Sequence, residues 1–426
     1  MHLKRYEMTG KENVYALINL AGGHLSIDLY ETIDEGIMLA AVKEAINYHP
    51  LFGTRFIFEN GQYYFEENPE PPVIFSSDNA PRIYGTDENN HYPWIIVIQD
   101  KRMLFYSTHA LTDGSGMFSF CKTILHIYFQ LSGVTFADTV TDFPMGSPEQ
   151  TMENGFLRYT DPDCEALCRP KAINPVNVDP HWFELKDQRP WRLEIPLKEV
   201  RRFAKESETS VFSVIACILA RTMADAFNIQ SGNVYVRVPV NLRSFFPSVT
   251  DRNFVQGFSL CYMAERMNNM PDAKVETIFR SQLDLWTDKC NLMQFINVDI
   301  DLLERIKAGP EEFRELLEGE KMKEPVAEII YTHITKPGFS EELMDKIRDI
   351  HMDFNAIQDG LISVSGVTIN SNVCLTIQQC SQNDCFMDSL RKVLSEREIA
   401  YNLYQFDLPP AYTCRNTSDL IENGYL

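Results

Sequence analysis

The sequence predicts an α+β protein built as two halves of comparable size, and three observations carry that reading. Strand and helix signals alternate through the first 140 or so of its 426 residues. From Asp138 to Pro190 periodicity fades and prolines accumulate (Pro144, Pro148, Pro162, Pro170, Pro175, Pro180, Pro190), as in a crossing segment ordered by packing. A second set of helix and strand signals then fills the rest, within the two or three domains that about 150 residues per domain would suggest. The halves are placed at 1–185, with the crossing segment, and 186–426.

Taken in order, Asn13 to Tyr30 carries β-leaning apolar runs broken at Gly22-Gly23. Thr32 and Glu35 have capping-box spacing, and Ile33, Ile37, Ala41 and Tyr48 follow at helical intervals until His49, which precedes Pro50. Asn60-Gly61 between Phe56-Ile57-Phe58 and Tyr63-Tyr64-Phe65 predicts a hairpin with a type I′ turn. A second hairpin joins Trp94–Ile98 to Met103–Tyr106 across Asp100-Lys101-Arg102. Met117, Phe120, Ile124 and Tyr128 mark a helix from Gly116, with Gly133 at its end. In the second half, helices are expected at Leu197–Glu206 and Ser210–Phe227, and strands at Val234–Val240 and Gln256–Met263. Asp272–Asp353 reads as mostly helical and charge-rich, followed by strands at Leu361–Val367 and Val373–Gln379 and a helix at Asp384–Ser395.

Composition narrows the function classes. Hydrophobic residues at 44% and charged residues at 23% are those of an ordinary globular chain. A net charge of −21 repels nucleic acid and anionic membrane surfaces, yet permits a small anionic ligand in a local basic pocket. Most of the ten cysteines, such as Cys121, Cys217 and Cys261, read as lying in apolar runs, and neither Cys164/Cys168 nor Cys374/Cys380/Cys385 has zinc-site spacing with a His partner. Reduced thiols and no metal are expected. The N-terminus, with Lys4, Arg5, Glu7, Lys11 and Glu12, has no signal-peptide core, and Val211–Ala220 is too short to span a bilayer. The expectation is a soluble, cytoplasmic monomer.

The chemistry concentrates at Ser107-Thr108-His109-Ala110-Leu111-Thr112-Asp113-Gly114-Ser115-Gly116. A strand ends in His109, a tight loop follows, and a helix starts, which presents a side chain rigidly at the edge of a sheet. Histidine, with an ordinary pKa of about 6.5, suits general-base work at neutral pH. Asp113 is expected to hold the loop through an ion pair elsewhere, and Gly114 and Gly116 to allow positive φ or close approach where a substrate passes.

His109-Ala110-Leu111-Thr112-Asp113-Gly114 resembles the HxxxDG signature of the acyltransferase superfamily of chloramphenicol acetyltransferase, BAHD and alcohol acyltransferases, and peptide condensation domains. Ala40–Phe56, with Tyr48-His49-Pro50-Leu51 and Arg55, resembles the N-terminal helix and turn of alcohol acetyltransferase-like members. Thr209–Ala220 resembles the helix opening their second half, and Val238–Arg243 with Phe246-Pro247 and Asn253-Phe254 resembles their "PVNLR…FPS…NF" segment. Thr108 stands where condensation domains carry a first His, and the plant DFGWG element is absent. The alcohol acetyltransferase-like branch is the nearest.

The resemblance implies a pseudo-dimer of two chloramphenicol-acetyltransferase-like halves, each a two-layer α/β sandwich, with His109 in a central tunnel. It implies Arg243 as the partner of Asp113, Ser259 and Asn253 as oxyanion or site-lining residues, and acyl-CoA as co-substrate with no bound cofactor. The partners expected are a thioester donor and a small hydroxyl or amine acceptor. Two other readings are a non-catalytic binding member of the fold and carrier-protein-dependent condensation. His49 and His333 are expected to be structural, and Tyr331–Gly338 to line the site. Lys101-Arg102, Arg201-Arg202-Lys205 and Lys321/Lys323 are the basic spots that could meet a phosphorylated donor.

Overall fold

The computed structural model describes residues 3–17, 21–138, 146–164, 174–177, 190–309, 326–354, 362–379, 384–407 and 413–414. The first half runs β1 (Arg5–Glu7), α1 (Gly10–Leu17), β2 (Ala21–Leu29), α2 (Glu35–Tyr48), β3 (Thr54–Glu59), β4 (Gln62–Glu67), β5 (Ile74–Ser76), β6 (Ile83–Tyr84), β7 (Trp94–Gln99), β8 (Arg102–Thr108) and α3 (Gly114–Leu131). The second contributes β9 (Trp191–Pro196), β10 (Asn233–Asn241), β11 (Val255–Met263), β12 (Glu328–Ile334), β13 (Ile347–Phe354), β14 (Ile362–Ile369), β15 (Asn372–Gln379), β16 (Asn402–Gln405) and β17 (Thr413–Cys414).

Two large sheets organise the molecule. One has five strands in the order β13-β2-β8-β7-β5, the other seven in the order β11-β10-β12-β14-β15-β9-β16. Alternation along the strands gives each sheet an apolar face toward its helices. Leu25, Ile27, Ile96 and Phe105 pack with Ala41, Val42, Phe120 and Ile124 of α2 and α3. Val236, Ile329, Leu375 and Ile377 pack with Leu219 and Leu390 of the helices Val211–Ala226 and Cys385–Glu396. The opposite faces look toward each other: Gln378 on β15 donates to Asp353 on β13 at 2.6 Å.

Both expected hairpins form. Asn60 and Gly61 take φ of 52° and 83°, the left-handed pair that a type I′ turn requires. Three expectations fail. Asn13–Leu17 is helical, because Thr9 and Glu12 cap α1 reciprocally: Glu12 N–H donates to Thr9 Oγ1 at 3.1 Å and Thr9 N–H to the Glu12 carboxylate at 2.8 Å. Thr32 does not cap α2. Asp34 does, accepting from Ile37 N–H at 2.9 Å, while Thr32 Oγ1 donates to Asp100 in the neighbouring hairpin turn at 2.7 Å.

The third concerns Asp272–Asp353, which holds helices at Asp272–Trp286 and Lys289–Ala308 but also strands β12 and β13. β13 pairs with β2, so residues from the second half complete the sheet of the first. The boundary expected near residue 185 lies outside the described residues, as do Lys321, Lys323 and much of the crossing segment.

Candidate active site

β8 delivers His109. It pairs with β2 on one side and β7 on the other, so its end is fixed within a sheet interior. The Thr108 N–H donates to Pro93 O at 3.2 Å and the Leu111 N–H to Thr108 O at 3.1 Å, which turns the chain tightly after the strand. His109 Nδ1 lies 3.3 Å from Thr112 O. A carbonyl can only accept, so the tautomer assigned from this contact carries its proton on Nδ1 and leaves Nε2 as the basic nitrogen.

Asp113 shapes the rest of the turn. Its Oδ1 accepts from the Ser115 and Gly116 N–H groups at 3.0 and 3.1 Å, capping α3. Its Oδ2 accepts from Arg243 Nη1 at 2.7 Å and from Phe254 N–H at 2.9 Å. The Arg243 guanidinium also donates to Thr250 O at 2.9 Å, Asn241 Oδ1 at 3.1 Å and Arg252 O at 2.6 Å. One buried carboxylate and one fork-shaped cation therefore lock the His109 turn, the end of β10 and the 250–254 loop together.

The same loop brings Asn253 to the histidine. Asn253 Nδ2 donates to His109 O at 3.1 Å. It also lies 3.1 Å from His109 Nδ1, but an amide N–H and a protonated Nδ1 are both donors, so that approach is a packing contact and not a hydrogen bond. The amide N–H thereby holds the His109 backbone carbonyl, while Asn253 Oδ1 is buried with no hydrogen-bond partner among the described residues. Behind it, Asp251 Oδ2 sits 2.8 Å from His49 Nδ1, and His49 Nε2 sits 2.8 Å from Thr123 Oγ1. His49 is fully buried. Gly116 has no positive φ; a Cβ there would collide with the Asp251 carbonyl oxygen and the Thr112 hydroxyl. Its close approach is to the 250–254 loop rather than to a substrate. Gly114, the first residue of α3, also has no positive φ.

Two site residues escaped the sequence reading, and both lie on α1. Tyr15 stacks on the His109 ring, centroids 4.6 Å apart and planes 14° apart. Lys11, one turn earlier, donates through Nζ to Val255 O at 2.7 Å and Gln256 Oε1 at 2.9 Å. Arg252 anchors α1 to the loop by donating to Glu12 Oε1 at 3.1 Å and to Glu12 Oε2. Asp299 accepts from the Gly10 and Lys11 N–H groups at 3.1 and 2.7 Å. The Thr9-x-x-Glu12 capping signature was the available signal for the helix; its contact with residues 250–256 had none.

Electrostatics suit a neutral imidazole. Burial lowers the His109 pKa from 6.5, and the Lys11 charge lowers it further against the opposing pull of the Thr112 carbonyl and Asp113. Burial pushes Lys11 itself down to about 8.

The remaining candidates separate from the site. The Ser259 hydroxyl donates to Glu328 Oε1 at 3.1 Å, and Glu328 Oε2 pairs with Arg237 at 2.8 Å, so the proton an oxyanion would need is already engaged. His333 is held between Tyr331 Oη at 3.0 Å and Thr368 Oγ1 at 2.9 Å, and burial pushes it down to about 4. Arg102 pairs with Asp28, and Arg202 with Glu199 and Glu206. Among the described residues no group of three His, Cys, Asp or Glu side chains is placed to hold a metal ion, and no single helix is long and apolar enough to cross a membrane.

No protein-family model and no curated protein matches the sequence. Solved structures do match. Polyketide synthase associated protein 5 from Mycobacterium tuberculosis superposes with a TM-score of 0.62 at 13% identity, over 91% of this chain and 96% of that one. TRI101 from F. sporotrichioides, solved with coenzyme A and T-2, gives 0.59 at 9% identity over 93% and 99% of the two chains. The condensation domain of the Monacolin K polyketide synthase MokA gives 0.57 at 11% identity over 93% and 98%. The chain has their fold. The condensation-type α+β fold implied by the HxxxDG resemblance is the one found.

Proposed function

We propose that this protein is an acyltransferase that moves an acyl group from a thioester, acyl-CoA in the first instance, to a hydroxyl or amine. The observation that carries the reading is His109, its Nδ1 turned to the Thr112 carbonyl in a turn locked by Asp113 and Arg243. Nε2 removes the proton from the acceptor as its oxygen or nitrogen attacks the thioester carbonyl, and a tetrahedral oxyanion forms. Collapse breaks the C–S bond, and the departing thiolate takes the proton back from the imidazolium. The products are the ester or amide and a free thiol, with no covalent acyl-enzyme. A neutral imidazole is the competent form, which the lowered His109 pKa favours.

Coenzyme A bound to TRI101, a protein of the same fold, supports the choice of donor. His109 facing a tunnel between the two halves is part of this reading. The seven cysteines whose side chains are described are free thiols, which fits a reducing, cytoplasmic setting. The test is thiol release from a panel of acyl-CoAs, each offered with alcohols and with amines. Acceptor-dependent thiol release matched by ester or amide product is expected. Release that ignores the acceptor, or none with any pair, contradicts the assignment.

A further inference from the structure

The two large sheets face each other across a layer of polar side chains that the proposed mechanism does not use. On β2, His24 and Ser26 stand opposite Asp353 and His351 of β13. On β15, Thr376 and Gln378 stand opposite Ser365 and Ser363 of β14. The two sets meet where Gln378 Nε2 donates to Asp353 Oδ2 at 2.6 Å, with His24 Nδ1 3.7 Å from the same oxygen.

The side chains buried by more than nine-tenths include His24 at 7% exposure, Ser26 at 2%, Thr376 at 2% and Gln378 at 7%. Among the described residues each of these four nevertheless has a polar atom with no hydrogen-bond partner, namely His24 Nε2, Ser26 Oγ, Thr376 Oγ1 and Gln378 Oε1. A buried unpaired polar atom costs about 1–3 kcal/mol, so a cluster of four calls for a bound partner. The layer ends differently in its two directions. Toward the Asp28–Arg102 and Arg192–Asp349 ion pairs, Val367, Ile369 and Cys374 close the space with apolar contacts. Toward His109 it follows β8: His24 pairs with Tyr106, three residues before the histidine, or about 10 Å at strand rise.

We infer that His24, Ser26, Thr376 and Gln378 form a subsite that binds the acyl acceptor, and that this acceptor is a neutral polyhydroxylated small molecule. The inference rests on the acyl-transfer reading of His109. A hydroxyl both donates and accepts, so adjacent hydroxyls can satisfy an imidazole nitrogen, two side-chain hydroxyls and an amide oxygen at once. A plain aliphatic alcohol leaves the same four atoms unpaired, which is the basis of strong discrimination in polar sites. The local charge state agrees. Burial pushes His24 down to about 3, which keeps its imidazole neutral, and Asp353 up to about 7, which weakens its charge. The cation opposite Thr376, Arg192, is already paired with Asp349 at 3.0 Å.

The test compares six-carbon ligands, linear sorbitol and cyclic inositol against linear 1-hexanol, by equilibrium binding to wild-type protein and to His109→Ala, where no turnover intervenes. The polyols should bind at least about tenfold more tightly in both proteins. Gln378→Met should erase most of that preference while leaving 1-hexanol binding unchanged. Ser26→Ala, a smaller change, should reduce it in the same direction and covers the case in which Gln378→Met fails to fold. Polyol preference without acyl transfer from any donor would support the subsite and remove the acyl-transfer reading. Equal affinities, or equal losses for both ligand types in the variants, would overturn the subsite and leave water as its sole occupant.

Discussion

His49 and His109 sit in neighbouring parts of one structure and show how little a histidine–aspartate contact says by itself. His49 lies between Asp251 and Thr123 with both ring nitrogens 2.8 Å from an oxygen, a connectivity that on paper matches a catalytic triad. Its side chain is fully buried, so no substrate atom can reach it. His109 makes no such contact with Asp113, whose carboxylate is occupied by two helix N–H groups, Phe254 N–H and Arg243. Its Nδ1 faces a carbonyl, its ring rests on Tyr15, and it is only half-buried. The difference teaches that a knot of hydrogen bonds fixes a fold, whereas a base is oriented by one nitrogen and works with the other.

The comparison breaks most visibly if the lock around the His109 turn is removed. Arg243→Ala strips the buried Asp113 carboxylate of its cation, and losing one partner of a buried pair costs about 3–5 kcal/mol. Urea denaturation should show that loss, and the surviving folded enzyme should show a lower kcat with little change in KM. Arg243→Lys keeps the charge without the fork and should fall between. Stability and kcat both at wild-type levels would remove Arg243 as a positioning residue.

His49→Gln sharpens the contrast from the other side. It should cost about 1–3 kcal/mol, because Asp251 or Thr123 is left without its partner in the core. The kcat of the folded variant should change by far less than that of any change at His109. A kcat collapse with stability intact would place His49 in the chemistry.

The smallest effect is on pH dependence. The rate should fall as pH drops through the His109 titration, which burial and Lys11 hold below 6.5, because protonation removes the base. A positive neighbour disfavours the imidazolium, so Lys11→Met should raise the His109 pKa and move the acid limb of kcat/KM to higher pH. A limb that stays put or moves lower would show that Lys11 does not act on His109.

The strand–turn–helix around His109 was legible because each piece is local: an aromatic and β-branched strand, an aspartate that can cap, and a helical apolar stripe. The fold followed from several motifs in sequence order. Other features were hidden by range or by irregularity. α1 sits in the site because Arg252 reaches Glu12 across 240 positions, a pairing that neither residue advertises. β13 does alternate, with Ile350 and Met352 on the face toward the helices and Asp349, His351 and Asp353 on the face toward the other sheet. A register shift between Ile347 and Asp349 breaks that pattern at its start, and the charge of the surrounding stretch made it read as helix. Ser259 was placed correctly on a strand, but its partner Glu328 came from another part of the chain.

The central claim is that Nε2 of His109 takes the acceptor proton, and the most direct measurement is single-turnover thiol release by His109→Ala beside wild type. Loss of a well-placed base predicts a rate lower by about 10²–10⁴-fold, with the unfolding midpoint of the variant at or near the wild-type value. A rate within a few-fold of wild type would contradict the account.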